Sequence, residues 1–265
     1  MSTSTLEVDF PARGQTGPAK GLTDPVDLGT AAEFAEAIRR SVDRDALSEM
    51  ARGLADKSAW LGEALRADRI PKMTEAETLR LLRSFFSSRS KARSVLATHD
   101  PTEVKGALAD LVHGERPLAD RLDDFAATFE DFDHIAVDLP WELLHLYDPA
   151  RFWLWASWVW NPRTETGALK LVASDDVDLY GADRVSTYRL VGANLAVLQA
   201  SATAAGMISS DPFALDVFLA CVYGVYMYTV LRMRMSQEFN RIVPQLPSLA
   251  RRLTGLHQWE AETCL

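Results

Sequence analysis

The chain has 265 residues, 48% of them hydrophobic and 25% charged, with 37 acidic against 28 basic side chains and a formal net charge of −9. That balance excludes a disordered chain, a collagen-like chain and a small disulfide-framework protein. The acidic excess disfavours generic nucleic-acid affinity, which needs a basic surface.

Residues 1–29 hold Pro11, Pro18 and Pro25 with Gly14, Gly17, Gly21 and Gly29, and no hydrophobic period runs through them. They read as a flexible N-terminal arm. The opening MSTSTLEVDFPARGQ has no basic n-region and no apolar h-region. It therefore reads as no secretory signal, and the cytoplasm is the expected location. Thr30 and Glu33 have capping-box spacing, so helix is expected from Thr30 onward. Phe34, Ala37 and Ile38 share one helical face. Leu47, Met50 and Leu54 continue the period, and Trp60, Leu61 and Leu65 extend it. Thr74 and Glu77 form a second capping-box pair, followed by Leu79, Leu82, Phe85 and Phe86. Val104, Leu108 and Leu111 make a further stripe, as do Leu118, Leu122, Phe125 and Phe129.

The dipeptide Asp-Pro recurs at Asp100–Pro101, Asp148–Pro149 and Asp211–Pro212, each time before an apolar run. Aspartate accepts hydrogen bonds from the free N–H groups of a first helical turn, and proline fits there because its N–H is not missed. Helices are thus expected at 149–160, 183–205 and 212–242. Pro244 and Pro247 break the pattern, and Ser248–Leu256 closes it with a short helix. Leu169–Val172 and Val177–Tyr180 have strand-like composition, but Asp175 and Asp176 argue for loop. The expected fold is all-α, a single helical domain of about nine to eleven helices over 30–256. A soft sub-boundary lies near 161–182, and 257–265 reads as a C-terminal tail.

The apolar run Val217–Leu231 is shorter than the ~20 residues of a membrane span, so it reads as a core helix with no membrane insertion. Cys221 lies inside it as a small buried hydrophobe, and Cys264 is penultimate; this pair makes no disulfide framework. Asp216 sits among Leu215, Val217, Phe218 and Leu219, where a buried carboxylate needs a partner; Arg189 and Arg232 are candidates. Tyr223, Tyr226 and Tyr228 spread over different faces and read as packing. Arg232, Arg234, Arg241, Arg251 and Arg252 make the C-terminal region locally basic.

Trp141, Trp153, Trp155, Trp158 and Trp160 are five of the seven tryptophans. On a helix starting at Pro149, Trp155 and Trp158 share one face and Trp153 and Trp160 another. Such a helix is buried nearly all round. The same rings, with Arg163, are the candidate lining of a ligand pocket. Glu142 and His145 stand three apart on one helical face, the E-x-x-H spacing that aims a carboxylate and an imidazole at one metal. There is no second such pair, so no metal and no cofactor is expected. A half-buried structural pair is favoured, with Glu142 bonded to an arginine. There is no G-x-G-x-x-G, P-loop, C-x-x-C, H-E-x-x-H or G-x-S-x-G.

The stretches PLADRLDDFAATF and ELLHLYDPARFWLW, within residues 117–160, resemble a helical module of bacterial restriction- and ATPase-associated proteins. That module is similar to the helix-hairpin-helix part of DNA glycosylases. Pro149, Phe152 and Trp155 match its Pro-x-x-aromatic-x-x-Trp segment. The resemblance implies a helical architecture. The family's hairpin glycines, which admit a DNA phosphate, are replaced by DFDHIAVDLP over Asp131–Pro140, with Asp131, Asp133 and Asp138 adding repulsive charge.

Three functions follow, in order of preference. The first is an intracellular binding or accessory protein acting through a protein partner or self-association as a homo-oligomer. The second is an enzyme or ligand-binding protein using 141–163, with Glu142 as base or ligand, His145 as acid or ligand and Arg163 as anion clamp. The third is a DNA-associated protein of a restriction or defence system.

Overall fold

A computed structural model describes residues 25–234 and 245–263, with side chains described to Val230 in the first stretch and to Ala261 in the second. Most of the proposed arm, residues 235–242 of the long helix and the break at Pro244 lie outside the described residues.

Order starts earlier than the Thr30–Glu33 spacing predicts. α1 spans Leu28–Ser41, and its N-cap is Asp27. The Asp27 carboxylate accepts from Thr30 N at 2.9 Å and from Thr30 Oγ1 at 2.6 Å. Thr30 therefore donates to the cap instead of being the cap. Asp27 N also bonds Val172 O at 3.0 Å, and Val26 is buried, so the last residues assigned to the arm are docked.

α2 (Arg44–Ala64) is capped by Asp43, whose side chain accepts from Ala46 N. A 3₁₀ turn at Ile70–Lys72 leads to α3 (Glu75–Arg83). Both bonds of the Thr74–Glu77 capping box are formed. α4 (Ala92–Thr98), α5 (Pro101–His113) and α6 (Leu118–Thr128) follow. Asp100–Pro101 starts α5 as its composition dictates: the Asp100 side chain accepts from Thr102 N, with proline in the first turn. α7 (Asp133–Val137) and α8 (Leu139–Tyr147) run almost end to end. α9 (Arg184–Ala204) lies close to its predicted bounds, and α10 spans Ala214–Arg234. α11 (Leu246–Leu253) begins two residues before Ser248, with Pro247 in its first turn. α12 (Leu256–Thr263) occupies most of the predicted tail and packs on α2 and α3.

The architecture is all-α. Among the described residues there is no strand, only two isolated antiparallel bridges, Val26 with Ala173 and Asn161 with Thr166. α10 packs against α1, α2 and α11, and α2 packs also on α8. Leu215–Val222 are buried without interruption, so the first two turns of α10 run through the core. Burial pushes the Cys221 thiol up to about 12, which leaves it an inert hydrophobe. No described helix is long and apolar enough to cross a membrane.

The helix predicted at 149–160 is absent. Residues 148–183 join α8 to α9 through turns and extended chain. The backbone carbonyl of Asp148, not its side chain, accepts from Arg151 N and Phe152 N, and the turn stops there. Phe152–Ala156 are then buried consecutively. Tertiary partners satisfy the backbone instead. Trp153 N donates to the Tyr188 hydroxyl at 2.7 Å, Ala168 N to Trp158 O at 2.9 Å and Leu169 N to Val159 O at 3.0 Å. Trp153 lies directly on α9: a Cβ on Gly192 would meet its Cδ1 at 2.9 Å.

Candidate functional site

Trp141 and Trp155 pack with Tyr188 as one aromatic cluster, while Trp158 meets Tyr223 and Trp160 meets Tyr180. Trp141 stacks on Tyr188 of α9 with centroids 4.1 Å apart and planes 13° apart. Trp155 tilts against Trp141 at 5.5 Å and donates its Nε1–H to Trp160 O at 2.9 Å. All five rings are buried, and none walls either of the two cavities described below. Arg163 is not brought to them. It lies at the surface, 2.8 Å from Asp133. Among the described residues, no three His, Cys, Asp or Glu side chains come together to hold a metal ion.

Glu142 and His145, in contrast, are brought together on the buried face of α8. They line a small internal cavity with Leu54, Phe85, Thr254 and Asp216. Its free volume of about 10 Å³ is roughly what one water needs. The ionisable groups at this centre are sealed: Lys57 is 0% exposed, His145 1%, Asp216 2% and Glu142 4%.

His145 is held at both ring nitrogens. Nδ1 lies 2.8 Å from Phe152 O, and Nε2 lies 2.8 Å from Asp216 Oδ2. A carbonyl only accepts, so Nδ1 carries a proton. Nε2 and Asp216 must then share a further proton, either as imidazolium with carboxylate or as imidazole with carboxylic acid. Among the described residues the partner of Asp216 is thus His145, 71 positions away; the side chain of Arg232 lies outside them. Through these two bonds α8, the tryptophan segment and α10 are tied at one imidazole.

Among the described residues Glu142 has no arginine in hydrogen-bonding reach. Its Oε2 accepts from Ser87 Oγ at 3.0 Å and Ser87 N at 3.4 Å, while Oε1 is buried with no hydrogen bond. Burial pushes its carboxyl up to about 7, and the charge of Asp138 adds to this, against the pull of Lys57. Asp138 itself is raised by burial, with its Oδ1 accepting from Ser157 Oγ at 2.8 Å.

Lys57 is the residue that sequence reasoning missed. It interrupts an apolar series, Met50, Leu54, Lys57, Leu61, at helical spacings of four, three and four. A lysine in that register is aimed at the core. Its Nζ donates to Ser84 O at 2.5 Å and Thr254 O at 3.1 Å, the C-cap carbonyls of α3 and α11. Both carbonyls sit at the negative ends of their helices, which favours a cation there. Burial still dominates and holds the ammonium down at about 7, with Glu142 opposing.

Gly255 makes the node fit. Its φ is +71°, and a Cβ would stand 2.4 Å from Ser84 O and 2.7 Å from Lys57 Nζ. Gly255→Ala is expected to cost about 2–3 kcal/mol through backbone strain and displacement of Lys57. Urea unfolding would check it, and an unchanged midpoint would contradict it.

The accessible concavity lies elsewhere. A groove of about 260 Å³ opens between α1, α2, the start of α10 and the α9–α10 turn. No protein-family model, curated protein or solved structure matches this chain.

Proposed function

We propose that the chain is a non-catalytic helical binding protein of the cytoplasm, acting through a protein partner or a second copy. The observation that carries this reading is the sealing of the central ionisable groups. Glu142, His145 and Asp216 line a space for a single water, and Lys57 is fully buried on the carbonyls of two helix ends. A substrate cannot reach a base or acid placed there. Their bonds join α2, α3, α8, α10 and α11, so their work is to hold the helices in register. Surface then remains as the working part.

The test separates interior from surface. Native mass spectrometry of the purified protein is expected to detect a bound protein partner or a homo-oligomer. Glu142→Gln should keep that assembly while altering stability. A strictly monomeric protein with nothing bound would count against the reading, and so would a turnover activity lost in Glu142→Gln with the fold intact.

A further inference from the structure

The groove between α1, α2 and the α9–α10 turn is built and lined in a way that suits one kind of small molecule. Its floor is Ile38, Leu47, Val217 and Phe218, and Met207 and Ile208 close one side. These last two are fixed by the end of α9. Gly206 turns with φ +67°, its N–H bonds Thr203 O at 3.0 Å, and Met207 N–H reaches back to Ala202 O at 2.8 Å. This double closure is the Schellman arrangement, and it holds the wall without a ligand. The space beside Gly206 is open: a Cβ there would meet nothing within 4 Å.

The rim is positive. Arg39 and Arg44 line it, in a chain whose net charge is −9. Glu36 holds Arg39 at 3.1 Å. Arg44, the first residue of α2, is exposed and has no ion pair or hydrogen bond among the described residues. A guanidinium offers a planar pair of N–H donors that matches one carboxylate. The volume of about 260 Å³ is many times the ~10–15 Å³ that one water needs by the same measure, which leaves room for the apolar body of a small molecule.

We propose that this groove binds a small amphiphilic monocarboxylate, its apolar body on Val217 and Phe218 and its carboxylate on Arg44. The proposal goes beyond the partner-binding reading, and either can fail alone. One free arginine on an acidic protein suits a single negative charge better than a phosphate's two.

The probe is decanoate, titrated calorimetrically into the full chain below its micellar concentration, with decanol as the uncharged control. The expected result is one saturable site per chain. Arg44→Glu should weaken it about tenfold or more, since a charge-assisted bond is replaced by repulsion. Val217→Trp should abolish it by filling the floor. Arg44→Gln, an exposed change, gives the charge effect if Val217→Trp fails to fold. The absence of saturable binding, equal binding of decanol, or unchanged affinity in both Arg44 variants would overturn the proposal. A protein partner retained in a protein that ignores decanoate would sink this inference and leave the binding reading standing.

Discussion

Glu142→Gln is expected to gain stability relative to the wild-type protein as pH climbs from 5 to 7, by roughly 2–3 kcal/mol over that interval. The reason is the raised carboxyl. In the wild-type fold Glu142 is raised from 4.5 to about 7, chiefly by burial. Between those values the folded chain keeps a proton that the unfolded chain has lost. Its contribution to stability is therefore largest below pH 4.5 and falls as pH rises to 7. Glutamine is neutral throughout and still accepts from Ser87, so this fall is removed.

Lys57 has the opposite slope above neutrality. It is lowered from 10.5 to about 7 by burial, so between these values the unfolded chain holds a proton that the folded chain does not. Its contribution rises with pH over that window. The two residues together thus place their poorest contribution near pH 7. Urea unfolding at pH 5, 7 and 9 measures this directly. The difference between wild type and the Lys57→Met/Glu142→Gln double variant should be least favourable to wild type at pH 7. Parallel stability profiles for the two proteins would refute the assignment.

His145→Ala is expected to cost about 3–5 kcal/mol, the usual loss when one member of a buried hydrogen-bonded ionisable pair is removed. It leaves Asp216 buried with no partner and the Phe152 carbonyl with no donor. Because Phe152 opens the buried run that carries the tryptophans, the loss should also be local. Amide hydrogen exchange over 152–160 should speed up more than in α5, and the near-ultraviolet circular dichroism of the tryptophans should weaken. Adding Asp216→Asn removes the orphaned carboxyl and should recover part of the stability, a coupling that a double-mutant cycle reads. Independent, additive losses at the two positions would show that the 2.8 Å contact carries no energy.

The bond partners in these experiments differ in how far they can be read from local pattern. Glu142 and His145 are visible as an i, i+3 pair, and α8 does present them together. Lys57 is visible in principle, as a cation at a core register of α2. Asp216 announces its need for a partner by its apolar neighbours. Nothing local to it points to His145 rather than an arginine, because the contact depends on how α10 crosses α8. The aromatic segment is the sharpest divergence. Asp100–Pro101 and Asp148–Pro149 are the same dipeptide, yet only the first begins a helix. Asp100 caps with its side chain, whereas only the backbone carbonyl of Asp148 accepts, and after Asp148 the chain meets the Tyr188 hydroxyl and later carbonyls that replace helical bonds. The tail around α12 likewise gains its helix through packing on α2 and α3.

The sequence by itself determined the all-α class, the starts of α3 and α5, the span of α9 and the burial of the tryptophans. Those properties depend on side-chain period and on hydrogen bonds between near neighbours, both written in a few consecutive residues. Tertiary structure alone decided that residues 148–183 abandon the helix, that Lys57 ties two helix ends, and that His145 joins Asp216. It also placed the one roomy groove described here away from the tryptophans. These depend on atoms far apart in the chain, whose meeting is set by the packing of whole helices.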